Sequence, residues 1–187
     1  MDIDKHVAAS LGFHTTKYMA VERERRWLCN AIPEGLELRT ERITDIYVTG
    51  ARLRLRQAQP LSGAPAILRL TRKADVDAYT RLITSIYLSD DEFRVLSNAL
   101  PGNRVQKLRH RLPEESGVVV AIDEFEGELS GLILAEAEFE SADQLVAFPI
   151  PHFASVEVTA DLRFTGVALA SSGLPLNFSE LLGANTG

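Results

Sequence analysis

The sequence predicts a mainly β (α+β) fold: a closed antiparallel barrel of about eight strands forming a tunnel, with a few packing helices. Three observations lead there. Runs rich in β-branched and aromatic residues recur along the chain and are broken by Gly, Pro, Asp or Ser, the mark of an antiparallel meander. Inside those runs charged and apolar residues alternate with the period of two that sends them to opposite strand faces. Whole strands carry charge of one sign on one face, and closing such strands on themselves would gather those faces in one lumen.

Residues 1–17 are weakly patterned and are expected to form an N-terminal arm, as a short helix or a mobile segment; 18–173 carry the domain, and 174–187 a turn-rich tail. The first strand, in "YMAVERERRWLCN", sets Glu22, Glu24 and Arg26 on alternate positions. "RITDIYVTG" and "ARLRLRQAQ" read as a hairpin turning at Gly50, which tolerates a positive φ. The second of these puts Arg52, Arg54 and Arg56 on one side and Leu53 and Leu55 on the other. "PAILRLTRK" does the same with Arg69, Thr71 and Lys73, and "DAYTRLITSIYLS" follows as a further strand. In "SDDEFRVLSNALPG", Ser89 and Glu92 make a capping box, Phe93, Leu96 and Leu100 a core stripe, and Pro101 and Gly102 a stop. "RVQKLRHRL" aligns Lys107, Arg109 and Arg111, and "VAIDEF" carries Asp123. "LAEAEFES" aligns Glu136, Glu138 and Glu140, a short helix is expected in "SADQLVAF", and "SVEVT" places Glu157 in a last strand.

A chain of 187 residues with 45% hydrophobic and 25% charged residues is long enough to bury one sizeable core. Its net charge of -6 argues against a general nucleic-acid binder, whose affinity comes from neutralising phosphates. Cys29 is the only cysteine, so no intrachain disulfide forms, and none of His6, His14, His110 and His152 has zinc-ligand spacing. No apolar run approaches the roughly 18 residues that cross a bilayer, and the acidic start lacks an apolar leader, so a cytoplasmic protein is expected.

A charged strand face is ordinarily a solvated face, and for any single triplet that reading holds. The set resists it. Three strands are basic on one face and one is acidic, and such segregation costs stability through like-charge repulsion unless something bound neutralises it. A polyphosphate would satisfy the bases, with Arg offering a planar fork and Lys a point charge. The carboxylates would suit a hard divalent cation; Mg²⁺ characteristically takes one or two carboxylates together with substrate phosphate oxygens and water. Glu22 and Glu24 lie about 6.6 Å apart along the strand, within reach of one ion or its water.

These motifs resemble the CYTH-domain proteins of the triphosphate tunnel metalloenzyme family, whose hallmark is E-x-E-x-K on the first strand of an eight-stranded tunnel barrel. "ERERR" is similar to it with Arg26 in the lysine position; "TGARLRLR", "LRLTRK" and "VQKLRHRL" resemble the basic strands; "LAEAEFES" and "VEVTADLRFTGVALASSG" resemble the late acidic and closing segments. The resemblance implies hydrolysis of a triphosphate, foremost inorganic tripolyphosphate, with Mg²⁺ or Mn²⁺. It implies metal ligation by Glu22, Glu24, Asp123, Glu136, Glu138 and Glu157, with Glu136 or Glu138 orienting the attacking water. It implies phosphate binding by Arg26, Arg52, Arg54, Lys73, Lys107 and Arg109, with Arg56, Arg69 and Arg111 either joining them or standing at the tunnel mouth. The closing segment "RFTGVALASSG" has no lysine, whereas some members carry a basic residue on a helix plugging the tunnel, so tight closure over the substrate is not implied. Rival readings are a polyphosphate-binding module without turnover and a nucleotide-acting member. The expected partner is a small triphosphate or polyphosphate, with no nucleic acid, no membrane, and a monomer or homodimer.

Overall fold

The computed structural model describes residues 3–13, 17–35, 38–115 and 117–183. Among the described residues the strands are β1 Ala20–Cys29, β2 Arg39–Val48, β3 Leu53–Pro60, β4 Ile67–Asp75, β5 Thr80–Tyr87, β6 Gly102–Arg111, β7 Val120–Phe125, β8 Ile133–Phe139 and β9 Ala154–Glu157, and the α-helices are α1 Lys5–Ser10, α2 Asp90–Ala99, α3 Ala142–Ala147, α4 Gly166–Ser172 and α5 Phe178–Gly183. The neighbours run β5-β4-β3-β2-β6-β7-β8-β1, and pairing of β1 with β5 closes the ring. The result is an eight-stranded antiparallel barrel, as the alternating segments predict. β9 extends the edge of β1 beyond its pairing with β5, and its register shifts between Leu28 and Cys29.

Apolar residues lie on the outer barrel face and at one end of the lumen, so the molecule is stabilised by cores that the polar interior does not enter. Trp27, Ile122, Ala135, Ala137 and Phe139 pack outside β1, β7 and β8, where Phe148 at the end of α3 closes over Trp27 and Phe139. Ala8 and Phe13 seat α1 on Ala74 and Leu82. Arg72 fastens that contact, its guanidinium 4.5 Å from the Phe13 ring and its Nη2 donating to the Leu11 carbonyl at 2.7 Å. At the end of the lumen Leu28, Val105, Phe125, Leu134 and Phe164 form a third core under Leu169 of α4.

The α2 capping box forms as expected, the Ser89 amide donating to Glu92 Oε2 at 2.8 Å and the Glu92 amide to Ser89 Oγ at 3.3 Å. Its apolar stripe differs from expectation: Phe93, Leu96 and Leu100 are only half-buried, because α2 lies on the barrel rim rather than entering a core. Gly50 takes φ 73° in the β2–β3 turn, the left-handed conformation expected of it. Among the described residues no helix is long and apolar enough to cross a membrane.

Candidate active site

The lumen is a cavity of about 620 Å³ lined by charged residues from β1, β3, β4, β5, β6 and β8. Strand alternation puts them there, since each basic or acidic triplet occupies every second position of its strand. Glu22, Glu24, Arg26, Arg52, Arg54, Arg56, Arg69, Lys73, Lys107, Arg109, Arg111, Glu136 and Glu138 all face this space.

Two buried carboxylates hold the basic walls in place. Asp45 of β2, 0% exposed, accepts from Arg56 Nε and Nη2 at 2.7 and 2.6 Å, and Arg54 Nε stands 3.7 Å away. Asp123 of β7, also 0% exposed, accepts from Arg109 Nε and Nη2 at 2.7 and 2.6 Å and from the Lys107 ammonium. Burial alone would raise the Asp45 pKa; the Arg56 and Arg54 charges reverse this and hold it well below the usual carboxylate range. For Asp123 the same burial is outweighed by Arg109 and Lys107, and its pKa is lowered. Asp123 is therefore an anchor behind the wall. Both its oxygens are engaged by Arg109 and Lys107, and it does not line the cavity that the other expected metal ligands Glu22, Glu24, Glu136 and Glu138 face.

The acidic side is built from β1 and β8, which pair Glu24 with Glu138 and Arg26 with Glu136. Glu22 Oε2 meets Lys73 Nζ at 2.6 Å. Glu24 Oε1 lies between Arg26 Nε, at 2.9 Å, and Arg81 Nη1. Glu136 accepts from Arg109 Nη2 at 2.5 Å, and Arg109 and Lys107 overcome its burial to hold it well below the usual range. Glu138 is the exception. Desolvation by the surrounding lumen walls and the neighbouring Glu22 charge raise its pKa even though its side chain stays exposed, and its carboxylate makes no hydrogen bond or ion pair among the described residues. A carboxylate with raised pKa facing a cationic cavity has the character of a general base.

Glu157 lies elsewhere. It pairs through β9 with Trp27, whose side chain is on the outer face, and its oxygens accept from Arg25 Nε and Nη2 at 3.1 and 2.6 Å and from Thr159 Oγ1 at 2.7 Å. Arg25 also donates to the Leu145 and Phe148 carbonyls, so Glu157 helps to fasten α3 to the barrel. Glu157 is thus not brought together with Glu22, Glu24, Glu136 and Glu138 in the lumen.

Among the positions not anticipated, Asp45 has been described, and Arg81 is the second. It lines the lumen, touches Glu24, and reaches Asp75 Oδ1 from Nε at 2.7 Å. Tyr47 is the third, facing α4 across the lumen wall; burial and the nearby Asp45 push its pKa up to about 12.

α4 covers part of the end of the lumen nearest Tyr47, without a basic side chain. A Cβ on Gly166 would stand 1.9 Å from Tyr47 Oη, so glycine alone fits this contact. Arg26 Nη1 donates to the Phe164 carbonyl at 2.7 Å just before the helix. The arginine in the motif position thus ties the chain just ahead of α4 to β1.

Among the described residues no three His, Cys, Asp or Glu side chains are gathered to hold a metal unaided. One or two carboxylates with phosphate oxygens suffice for Mg²⁺, and the hard oxygens of Glu22 and Glu24 beside a phosphate-sized cationic wall fit that chemistry.

No protein-family model matches the chain. The inorganic triphosphatase of Nitrosomonas europaea is 34% identical over 155 residues, covering 81% of this chain and 97% of the relative. The solved structure of the inorganic triphosphatase NE1496 superposes with a TM-score of 0.56 at 31% identity, over 82% of this chain and 97% of the other. The PH1819 protein from Pyrococcus horikoshii OT3 superposes with a TM-score of 0.53 at 25% identity, over 67% of this chain and 82% of the other. With 34% of the aligned residues identical across 97% of that relative, and the same barrel, the chain belongs to the inorganic triphosphatase family.

Proposed function

We propose that this chain hydrolyses inorganic tripolyphosphate to pyrophosphate and orthophosphate with Mg²⁺ or Mn²⁺, as a CYTH-type triphosphate tunnel metalloenzyme. The observation that carries the reading is the division of the lumen into a cationic wall held by buried aspartates and a carboxylate, Glu138, left without a cation of its own. Phosphoryl transfer needs positioning and charge stabilisation more than covalent chemistry, and this wall supplies both.

Arg54, Arg56, Lys73, Lys107 and Arg109 would bind the phosphate oxygens. Asp45 and Asp123 hold three of these, Arg56, Lys107 and Arg109, on the wall, with Arg109 reaching Glu136 as well. Glu22 and Glu24 would hold the divalent ion, which supplies charge neutralisation on the phosphate oxygens. Glu138 would accept the proton of a water that attacks the terminal phosphorus in line, while the guanidiniums take the charge that develops on the departing pyrophosphate. Glu136, already charged and held by Arg109, serves to orient that arginine.

Phosphate release from tripolyphosphate, ATP and thiamine triphosphate, each with Mg²⁺, Mn²⁺ or chelator, tests the proposal. Metal-dependent release chiefly from tripolyphosphate is expected. Thermal stabilisation by tripolyphosphate with no release from any of the three would make the chain a binding module instead.

A further inference from the structure

The end of the lumen away from α4 holds more positive charge than a triphosphate site there explains. Val105 packs under α4, and Arg111 lies six residues further along β6, about 20 Å at the usual strand rise. Arg69 of β4 stands directly across from Arg56 and, on its other side, from Tyr87 at the rim. Arg54, Arg56, Arg69 and Arg111 act on one another here, and two carboxylates answer the four guanidiniums: Asp45, held by Arg56 and Arg54, and Glu41, held by Arg111 at 2.8 Å. Arg69 has neither. Its Nε is buried without a hydrogen-bond partner, and burial together with Arg56 and Arg54 lowers its pKa. A guanidinium kept beside others at a cavity rim, with no carboxylate of its own, raises the free energy of the empty protein until an anion arrives.

The geometry points to a further anion subsite formed by Arg69 and Arg111, which takes the phosphoryl groups of a linear polyphosphate beyond the third. This rests on the triphosphatase reading for the inner lumen and extends it to the length of the chain that is bound. The planar forks of two arginines suit the bridging and terminal oxygens of such a chain. Thr71 and Ser85, whose hydroxyls meet at 2.8 Å beside Arg69, line the same space with small neutral side chains that leave room for it. The chemistry recognised is phosphate oxygen, and a separate orthophosphate could present it as well as a continuous chain.

Isothermal titration of the full chain with tripolyphosphate, linear hexapolyphosphate and orthophosphate, for the wild type, Arg69→Gln and Arg69→Lys, decides the matter. Hexapolyphosphate is expected to bind the wild type about tenfold more tightly than tripolyphosphate, the gain of one charge-assisted contact. Arg69→Gln should abolish that difference and Arg69→Lys should restore part of it. With its repulsion removed, Arg69→Gln should also melt at a higher temperature without ligand, which separates lost binding from lost folding. Equal wild-type affinity for both chains, or equal weakening of both by Arg69→Gln, would overturn the proposal. Two tripolyphosphates per chain, or loss of the hexapolyphosphate advantage on adding orthophosphate at low concentration, would assign the subsite to a separate anion and overturn it too. Phosphate release measured alongside keeps the two readings apart: chain-length-dependent binding without release would remove the phosphatase and leave the subsite standing.

Discussion

Replacing Asp45 by asparagine removes one negative charge and leaves the shape of the side chain nearly unchanged. The Asp45 carboxylate is 0% exposed and Arg56 5%, so the change strands a buried guanidinium that has lost its two-pronged partner. Breaking a buried pair in this way costs about 3–5 kcal/mol. For a domain of this size each kcal/mol moves the midpoint by about 2–4 °C, so Asp45→Asn should melt about 6–20 °C below the wild type. Thermal unfolding followed by the fluorescence of Trp27, which is fully buried, reads this directly. The sign with pH is fixed. The folded Asp45 pKa is lowered, so its contribution is complete above the unfolded value near 3.9 and is lost as pH falls towards the folded one. The gap between mutant and wild type should therefore be full at pH 7 and shrink below about pH 4. At a concentration about a hundredfold the wild-type Kd, which stabilises the wild type by about 2.7 kcal/mol, tripolyphosphate should stabilise the mutant by more, because the anion binds the uncompensated guanidinium more tightly. A midpoint within about 2 °C of the wild type at pH 7 would refute the pinning role.

Glu138→Gln should lower kcat by about 10²–10⁴ and remove the acid limb of the pH–rate profile. Because desolvation and Glu22 raise the Glu138 pKa, the wild type loses stability as pH rises from about 4.5 through the folded value; at pH 7 the glutamine variant should melt higher, and a lower midpoint would contradict the unpaired carboxylate. Arg26→Lys keeps the charge but loses the bond from Nη1 to the Phe164 carbonyl, so hydrogen exchange in Gly166–Ser172 should speed by the equivalent of about 1–3 kcal/mol; unchanged protection would show that α4 closes without it. Glu157→Gln should leave the metal dependence of turnover as it is and cost about 0.2–1 kcal/mol of stability through the half-buried pair with Arg25, whereas a weakened metal affinity would return Glu157 to the site.

The barrel and most of its lumen were legible because alternation fixes which face a residue occupies, and single-sign triplets stand out from a solvated background. What stayed hidden were lone charges. In "RITDIYV" Asp45 is one acid among apolar residues, and its partner Arg56 lies on the next strand at a register that only the fold sets. Arg81 likewise is a single base in an otherwise neutral strand, and its meeting with Glu24 depends on the β1–β5 pairing that closes the ring. For Asp123 alternation fixes the face, but not that Arg109 and Lys107 stand between it and the cavity, because distance from the cavity cannot be read from alternation. Glu157 stands off the lumen because it pairs with Trp27, an outer-face position, and alternation within β9 alone does not tell which face meets the lumen.

The contact between Tyr47 and Gly166 ties two positions more than a hundred residues apart into one evolutionary unit. Any side chain at 166 would overlap the phenol, and removing only the hydroxyl gives no relief, since Tyr47 Cζ would still stand 2.7 Å from the new carbon. A lineage that enlarges residue 166 must therefore first shrink residue 47 to an aliphatic side chain, or give up the seat of α4. A substitution at 166 should therefore be found only where residue 47 has already been reduced, with the glycine retained wherever the aromatic ring is retained.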